Sequence, residues 1–386
     1  MPGLVVNRIA PGFLSQTLNG FRDGLVIVTG SSGKSTTTKM LVAALEAHGR
    51  RVFTNPSTAN ISQGLTSALL ERASLGGKID ADIAVLEMDE GHAALIASTL
   101  TPAMVVLTNV MTDQIDRFEN SEKVLAMLAK IASRATERVI SNADDAMLEE
   151  FVGAVSDAAV DRFGVSASVL AANPRGLGYA RTASARIQHG TIVTSVKGAT
   201  AIIAVDGTPL TVTLPSRGVH YAVDAASALS TAAAILGESF DGATAAAAIS
   251  AMPPVFGRGE VVEVRGQRVE FVLVQNPASF QLNVDELPSG LDQILVAIGS
   301  DVRDPSYFWP VDISGLRRVA IVSGSKADEI ALQLEYQDVV IDRIEHELGR
   351  ALDDFLALPA PAVGDKTVVF SADSMRRTRS HLGLAK

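Results

Sequence analysis

The chain has 386 residues, a length that exceeds one ordinary compact domain and matches two or three, each able to bury its own core. It carries 33 Lys and Arg against 43 Asp and Glu, a formal charge of −10, and no Lys/Arg-rich run marks a nucleic-acid or anionic-membrane surface. Its lack of cysteine excludes disulfides, thiolate zinc sites and a cysteine nucleophile within the chain. The absence of a leader pattern or long apolar run predicts a soluble cytoplasmic protein.

Short apolar runs alternate with helical stretches between about residues 25 and 145. The predicted strands are LVIVT, RVFT, IAVLE, MVVLT and RVIS, and the predicted helices lie in KMLVAALEAHG, GLTSALLERAS and EKVLAMLAKIASRA. Strands that alternate with helices of about 10 to 15 residues form a parallel sheet covered on both faces. The sequence therefore predicts an α/β fold.

The composition changes between about residues 166 and 215, where Gly, Thr and Ser are frequent and the segments ARIQHGTIVTSV and TPLTVTLP alternate in polarity. We expect hairpins laid against the first sheet, an embellishment and not a domain. Two Ala-rich helices follow, VDAASALSTAAAILG and ATAAAAISAM, and the pair Pro253–Pro254 ends the second. The predicted domains are therefore residues 1–252 and residues 253–386.

A second alternating series follows this boundary. GEVVEVRGQRVEFVLV predicts a hairpin, and the later strands QILVAI, RVAIVS, DVVI and TVVF are separated by helices near KADEIALQLEY and EHELGRALDDFLAL. This pattern predicts a second, smaller α/β domain with a parallel sheet of the Rossmann-like type.

The segment TGSSGKSTTTKM, residues 29–40, joins the end of the first strand to a helix. The turn consists of Gly30, Ser31, Ser32 and Gly33. Backbone N–H groups and the positive helix end would face an anion there, with Lys34 reaching the outer phosphates and Ser35 or Thr36 offering a hydroxyl to Mg²⁺. Val28 occupies the first glycine position of the pattern G-x-x-x-x-G-K-[ST], so a glycine-rich loop with an incidental lysine is the alternative.

The form TGxxGK[ST][ST] resembles the phosphate turn of Mur-type ATP-dependent peptide ligases. Further matching segments occur in the expected order: TANISQG, VLEMDEGH, TNVMTDQIDRF, SNADD, FGRGE and QNPASF. The run Asp113-Gln114-Ile115-Asp116-Arg117 resembles DQLDR, the hallmark of the MurT branch, the ligase-like subunit of lipid II isoglutaminyl synthase. The resemblance covers about residues 25 to 340. It implies a Mur-ligase-like central P-loop ATPase domain and a C-terminal Mur-ligase domain.

The resemblance implies that ATP phosphorylates a carboxylate and that a nitrogen nucleophile attacks the acyl phosphate. Lys34, Mg²⁺ and an arginine would position and neutralise the phosphates. Glu87 follows the strand IAVL and resembles the family's metal-binding glutamate, which would act with Ser35; an exposed acid at a strand end is the alternative. Asp89 and Glu90 are weaker candidates, because three acids in four residues also form solvated turns.

Asn109 and Asp113 follow the strand MVVL at the same predicted sheet edge. The resemblance places them near the nucleotide, the metal and the acceptor, with Asp113 among the catalytic residues. Asp113 equally fits an ion pair with Arg117 four residues later. By resemblance, Asn60 and Asn276 contact the acceptor substrate.

Arg258, in FGRGE, resembles the arginine that helps to hold the nucleotide when the domains of Mur ligases close; a surface arginine in a linker is the alternative. His220 falls where the family places residues near the adenine. Asp224 departs from the asparagine pattern there, and we interpret it as an acid at a helix start.

The run DPSYFWPVD, residues 304–312, resembles the segment DxSWxWDVDF of MurT-like proteins. In those proteins an aspartate orients the histidine of a partner glutaminase and completes a Cys-His-Asp triad across two chains. Asp304 aligns with that aspartate, whose role is to fix the imidazole tautomer and stabilise the imidazolium. The implied partner is a GatD-like class I glutaminase in a heterodimer. A turn start before Pro305 is the alternative role of Asp304.

The chain departs from the MurT pattern in three places. It has neither the four cysteines of the zinc ribbon that many MurT proteins carry nor a substitute cluster among its six scattered histidines, so we predict no zinc site. Gln275 stands where a lysine is expected. Tyr307 replaces a tryptophan, and Trp309-Pro310 replaces Trp-Asp.

Three functions are compatible with these observations. The leading one is an amide synthetase subunit that uses ATP and Mg²⁺ to activate the α-carboxylate of D-Glu in lipid II and captures ammonia from the glutaminase, giving D-isoglutamine. The second keeps this chemistry but uses a different carboxylate acceptor, as Gln275 and the missing ribbon favour. The third is a non-catalytic nucleotide-binding scaffold, which would need few of the matched side chains Lys34, Ser35, Glu87 and Arg258.

Overall fold

The computed structural model describes residues 2–56, 62–74, 78–111, 121–155, 157–253 and 257–384. The chain divides into two compact units. Unit 1 comprises Met1–Pro215 and Val219–Met252, and unit 2 comprises Ser216–Gly218 and Pro253–Lys386. Each unit has its own sheet and its own clusters of buried hydrophobic residues.

Strands and helices alternate through the described part of unit 1. The strands are β1 Leu25–Thr29, β2 Val52–Phe53, β3 Ile83–Glu87, β4 Met104–Leu107, β5 Arg138–Asn142, β6 Ala159–Val165, β7 Thr191–Lys197, β8 Thr200–Val205 and β9 Thr208–Thr213. The helices are α1 Pro2–Ile9, α2 Phe13–Leu18, α3 Lys34–Ala47, α4 Ser62–Arg72, α5 Glu90–Ile96, α6 Ser121–Ala132, α7 Ala146–Val155, α8 Ala167–Ala171, α9 Val219–Leu236 and α10 Gly242–Ser250.

These nine described strands form one sheet in the order β2-β3-β1-β4-β5-β6-β7-β8-β9. Pairing is parallel from β2 to β7 and antiparallel from β7 to β9. The predicted α/β fold is confirmed. The expectation that the hairpins lie against the sheet is wrong: β7 pairs in parallel with β6, so the hairpins extend the same sheet and make β9 its edge strand.

The parallel strands place the ends that carry the predicted site at one edge of the sheet. In the register of β1, Val28 lies beside Glu87 at the end of β3, and Thr29 lies beside Leu107 at the end of β4. Because parallel strands end on the same side, the segments that follow β1, β3, β4 and β5 meet at this edge. Strands β1, β3 and β4 are buried along their whole length, as their continuous apolar runs predict.

Helix α9 packs against α3, the helix that follows the phosphate turn. The segment Val219–Ser239 is the one described stretch that is long and apolar enough to cross a membrane. However, 78% of its most apolar window is buried inside the protein. Its apolar character is therefore explained by its place in the core.

Unit 2 contains a second, smaller sheet. Its strands are β10 Arg258–Val264, β11 Gln267–Leu273, β12 Ile294–Ala297, β13 Arg318–Ser323, β14 Val340–Glu345 and β15 Lys366–Phe370. Its described α-helices are α11 Pro277–Glu286, α12 Ala327–Tyr336, α13 Leu348–Ala357 and α14 Ala372–His381. The order is β10-β11-β15-β12-β13-β14, with an antiparallel hairpin β10–β11 and parallel pairing elsewhere. The predicted hairpin and the four predicted strands are confirmed.

Side chains of β11 and of Val274, the residue after it, alternate between two cores on opposite faces of this sheet. Phe271 and Leu273 belong to one core, whereas Val272 and Val274 belong to the other. The core that contains Phe271 also holds a buried cation: Lys366 is only 1% exposed. Its ammonium donates hydrogen bonds to the carbonyl oxygens of Phe355 at 3.0 Å, Leu356 at 2.8 Å and Leu358 at 2.5 Å, and so closes the C-terminal end of α13.

Replacing Lys366 by Met should lower the free energy of unfolding of unit 2 by about 2 to 4 kcal/mol, because the three buried carbonyl oxygens lose their charged donor. Urea denaturation measures this change. The control is Lys326→Met, which removes a lysine that pairs with the half-exposed Glu329 and should cost less than about 0.5 kcal/mol. Equal stabilities of the two variants would contradict the capping role.

Candidate active site

The phosphate turn lies between β1 and α3 and depends on two glycines. Gly30 has φ +135° and Gly33 has φ +82°, both in the range that favours glycine. A Cβ added at Gly30 would lie 2.2 Å from Oγ1 of Thr108, and one added at Gly33 would lie 2.2 Å from Oδ1 of Asp224. Both backbone conformation and space therefore require glycine at these positions.

Asn109 supports the turn from the side of β4. Its Oδ1 accepts a hydrogen bond from the Ser32 N–H at 2.9 Å, its Nδ2 donates to the Ser32 carbonyl at 3.2 Å, and its own carbonyl accepts from the Ser31 N–H at 2.9 Å. The Met111 N–H donates to Oγ of Ser31 at 3.1 Å. The N–H groups of Ser31 and Ser32 are thus bonded to the protein and hold the turn in shape, whereas the first N–H groups of α3 have no acceptor within the helix and suit an anion.

Lys34 lies over the turn. Its ammonium donates to the carbonyl oxygens of Gly30 and Ser31, the latter at 3.2 Å, and lies 3.4 Å from Oε2 of Glu90. Glu90 is fully buried and begins α5, whose N-terminus Asp89 caps by accepting from the Gly91 N–H. Sequence reasoning gave Glu90 little weight because its neighbours are acidic. The structure makes it the counter-charge of the turn's lysine.

The two predicted metal ligands are in direct contact. Ser35 Oγ donates a hydrogen bond of 2.8 Å to Oε1 of Glu87, and both side chains are buried. Asn55, which sequence reasoning missed, fixes the backbone of Glu87: its Oδ1 accepts from the Glu87 N–H and its Nδ2 donates to the Glu87 carbonyl, both at 3.0 Å. The available signal was a polar residue two positions after β2.

A hydroxyl and a carboxylate oxygen are donors of the kind that Mg²⁺ prefers, so Ser35 and Glu87 fit a magnesium ion. Within the described ranges, no group of three or more His, Asp or Glu side chains could hold a metal by itself. The remaining ligands of a magnesium ion here would be water and phosphate oxygens, the usual arrangement at nucleotide sites.

Asp224 is not at a helix start, so our interpretation of it is wrong. It is the sixth residue of α9, which begins at Val219, and it is buried. Its Oδ1 accepts a hydrogen bond from Oγ1 of Thr37 at 3.4 Å and lies against Gly33. His220 lies in the first turn of the same helix, with its ring centroid 4.2 Å from that of Tyr221.

Two further buried carboxylates follow β5, in the segment SNADD. Burial raises the pKa of Asp144 to about 6 and that of Asp145 to about 6, and burial also raises the pKa of the neighbouring Tyr179 well above its ordinary value. Both acids accept backbone N–H bonds, which partly offset the cost of burying their charge.

Four other predicted site residues are Asn60, Asp113, Arg258 and Asn276. Asn60, Asp113 and the rest of the DQIDR run lie outside the described residues. Arg258 is the first residue of β10, and its side chain also lies outside the described part. Asn276 caps α11: its Oδ1 accepts from the Ser279 N–H at 2.6 Å, and Oγ of Ser279 accepts from the Asn276 N–H at 3.1 Å.

Asp304 is exposed in unit 2 and precedes a 3-10 turn, Pro305–Phe308. Its Oδ1 accepts a hydrogen bond from the Ser306 N–H at 3.0 Å, and hydrogen bonding to Ser306 holds the pKa of the carboxyl below its usual value. The side chain therefore starts a turn and also stays ionised at the surface. Trp309 is 41% exposed, and its ring centroid lies 5.5 Å from that of Tyr336.

Residues 28–232, more than half of the chain, match the Mur ligase middle domain family. The chain belongs to the Mur ligase family. This stretch contains the phosphate turn, the Ser35–Glu87 contact, Asn109 and the buried pair Asp144 and Asp145. The geometry of the phosphate turn and of its neighbours within residues 28–232 is therefore that of a Mur ligase middle domain.

Among relatives of this Mur ligase-family chain, the lipid II isoglutaminyl synthase (glutamine-hydrolyzing) subunit MurT of Staphylococcus aureus is 30% identical over 145 residues, 38% of this chain and 32% of that protein. The UDP-N-acetylmuramate–L-alanine ligase of Thermobifida fusca is 28% identical over 319 residues, 80% of this chain and 60% of that protein. The matches thus span about a third of the MurT protein and three fifths of the ligase.

The fold of both units resembles solved Mur ligase structures. MurF ligase from Thermotoga maritima, crystallised in complex with ADP, superposes with a TM-score of 0.70 at 20% identity, covering 100% of this chain and 83% of that one. The two mostly parallel sheets therefore correspond to the middle and C-terminal domains of a Mur ligase.

Replacing Gly33 by Ala should lower the affinity for an ATP analogue at least about tenfold, because the added Cβ collides with Asp224 and shifts the start of α3. The matched control is Gly49→Ala, at the other end of α3. Gly49 has φ +77° but nothing within 4 Å of an added Cβ, so this variant should show only left-handed strain of about 1 kcal/mol. Calorimetric titration of both variants makes the comparison, and equal affinities would count against the site.

Replacing Glu87 by Gln should raise the Mg²⁺ concentration needed for half-maximal nucleotide binding about tenfold or more, since the amide keeps the Ser35 contact but loses the charge. Glu46→Gln, at an exposed position of α3, is the control and should leave the magnesium requirement unchanged. A magnesium requirement unaltered by Glu87→Gln would show that the metal binds elsewhere.

Proposed function

We propose that this chain is an ATP- and Mg²⁺-dependent ligase that forms a carbon–nitrogen bond from a carboxylate. A carboxylate is a poor electrophile, so the γ-phosphoryl group of ATP first moves to a carboxylate oxygen: the bond from Pγ to the β,γ-bridging oxygen breaks, and ADP leaves. A nitrogen nucleophile then attacks the acyl carbon, loses a proton, and displaces inorganic phosphate. Enzymes assist such transfers mainly by positioning and by neutralising charge.

The residues at the turn suit these tasks. Lys34 supplies a positive charge beside the N-terminus of α3, where transferred phosphate oxygens gain negative charge. Ser35 and Glu87 would hold Mg²⁺, which neutralises phosphate charge when it is bound. Membership of the Mur ligase family supports this assignment of the turn. His220 and Arg258 remain proposed nucleotide contacts, and Asp113 remains a proposed catalytic residue.

We further propose that the acceptor is the α-carboxylate of D-Glu in lipid II and that the nitrogen is ammonia from a GatD-like class I glutaminase, giving D-isoglutamine. The MurT relative, a subunit of a glutamine-hydrolysing synthase, supports this choice. The chain itself has no cysteine, so a glutaminase that uses a thiol must supply it from a second chain. The proposed assembly is a cytoplasmic heterodimer.

The observation that carries this proposal is the position of Asp304. Its carboxylate is exposed, oriented by the Ser306 N–H, and held in the ionised form. An ionised carboxylate at a surface can accept a hydrogen bond from the histidine of a docked partner. It would fix the tautomer of that imidazole and stabilise the imidazolium formed when a thiol loses its proton.

A different carboxylate acceptor is the second candidate, and one observation favours it. Gln275 occupies the position of the expected lysine and is exposed, and the side chain of the adjacent Asn276 is engaged in capping α11. This region therefore lacks the cation that the resemblance assigns to acceptor binding, and a substrate with another charge pattern would suit it.

The test is Asp304→Asn in the complex with the glutaminase. Amidation driven by glutamine should fall at least about a hundredfold, because the neutral amide no longer stabilises the histidine cation, whereas amidation with free ammonium should persist. Asp342→Asn, an exposed acid of β14 paired with Arg318, is the control and should change neither rate. Equal loss of both reactions in Asp304→Asn would reject the triad role.

A further inference from the structure

The supporting segment, residues 108–111, directly follows β4 and holds the phosphate turn. Through Asn109 and Met111 it makes the contacts with Ser31 and Ser32 described above. The N–H of Thr108 also donates to the carbonyl of Thr29 at 3.0 Å. The conformation of the turn thus depends on where this segment lies.

The opposite side of the supporting segment is bonded to the SNADD segment after β5. Oδ2 of Asp145 accepts the Val110 N–H at 2.6 Å, and Nδ2 of Asn142 donates to the Thr108 carbonyl at 2.8 Å. The Val110 carbonyl accepts from the Ala180 N–H at 2.9 Å. Val110 is thus fixed between the turn and a fully buried carboxylate.

Asp145 has two separable functions. Its Oδ2 reaches Val110, whereas its Oδ1 accepts from the N–H groups of Met147 at 2.9 Å and Leu148 at 3.4 Å, in the first turn of α7. The Oδ1 contacts with Met147 and Leu148 are those of a helix cap, which other short polar side chains also provide. Only the Oδ2 contact with Val110 connects Asp145 with the phosphate turn.

The adjacent Asp144 offers an internal comparison. It is almost as buried, but its carboxylate accepts from the Val165 N–H at 2.7 Å and from Arg186, not from the supporting segment. The two acids are therefore adjacent in sequence and similarly buried, but only Asp145 contacts residues 108–111.

We propose that Asp145 is a positioning residue for the phosphate turn: its ionised carboxylate holds Val110, and through Asn109 and Met111 it sets the turn geometry on which nucleotide affinity depends. This inference rests on the proposed nucleotide site. The carboxylate touches neither nucleotide nor metal in this account and acts only through the supporting segment.

The proposal has a pH dependence with a defined sign. Both oxygens of Asp145 face N–H donors, so protonation turns one acceptor into a donor and breaks one contact. Burial raises its pKa to about 6, from an unfolded value near 3.8, and Arg181 opposes that rise. The charged or titratable groups around Asp145 and the adjacent Asp144 are Glu149, Tyr179, Arg181 and Arg186.

Two consequences for pH follow. Because the folded pKa is raised, the contribution of Asp145 to stability is fully present below about pH 3.8 and is lost as the pH rises through about 6. Nucleotide affinity should show the opposite trend, because the ionised form holds Val110 above about pH 6. A purely structural role would make affinity follow stability.

The decisive variant is Asp145→Ser in the full chain. Serine caps α7 but is too short to reach Val110. Calorimetric titration with AMPPCP and Mg²⁺ should give about tenfold weaker binding than wild type at pH 7.5, the scale expected for an unpaired buried N–H. Asp145→Asn keeps an acceptor for Met147 and Leu148 but presents an amide N–H to Val110. Its affinity for AMPPCP should fall by a similar factor, so it replaces Asp145→Ser in the test if that variant does not fold.

Asp144→Asn is the matched control. It should lose stability in urea but keep wild-type affinity at pH 7.5, and it should retain the wild-type loss of affinity between pH 7.5 and 5.5. In the Asp145 variants that pH dependence should shrink; the ionisation of AMPPCP itself is common to all samples.

Three results would overturn the inference. The first is an Asp145→Ser variant that folds and binds AMPPCP as tightly as wild type. The second is a set of Asp144 and Asp145 variants whose nucleotide affinities fall in proportion to their stabilities. Wild-type protein that binds no AMPPCP would refute the nucleotide site itself, and with it this role of Asp145. The first two results leave the proposed function standing, so the two failures are distinguishable.

Discussion

The contact between Ser35 and Glu87 is the interaction on which this account of the chain depends. It joins the first turn of the helix after β1 to the end of β3, and it exists because neighbouring parallel strands end at the same edge of the sheet. Without it the phosphate turn would be an anion-binding turn with no defined place for a cation. With it, a hydroxyl, a carboxylate and a lysine lie close together at one edge of the sheet.

The surroundings of this contact show how a buried polar site is stabilised. Asn55 fixes the backbone of Glu87, Glu90 balances Lys34, and Asn109 occupies N–H groups of the turn. Buried polar atoms are costly unless they are paired, so these contacts both allow the site to exist and restrict its geometry. The same reasoning extends to Asp145, one layer farther from the turn.

The sequence predicted the strands well because most are continuous apolar runs bounded by turn residues, as in LVIVT and RVAIVS. It missed β6, AVDRFGV, whose first residues are charged or small and only partly buried. Missing β6 is also why the hairpins were placed on the sheet and not beside it. The phosphate turn and Glu87 were predictable because motif and strand position both marked them.

The contacts of other site residues could not be predicted from the local sequence. Asp224 was assigned to a helix start because acids are common there, yet α9 begins five residues earlier and tertiary packing brings Asp224 to Gly33. Asn55, Glu90 and Asp145 act through contacts with residues 32 to 56 positions away in sequence. Spacing along a chain carries no information about such partners.

The most direct test of the central claim is a crystal structure of the chain with AMPPCP and Mg²⁺. The account predicts the phosphates at the N-terminus of α3, beside Lys34, and a magnesium ion about 2.1 Å from Oγ of Ser35 and from a carboxylate oxygen of Glu87. Nucleotide bound in another cleft, or a metal ion that contacts neither side chain, would contradict it.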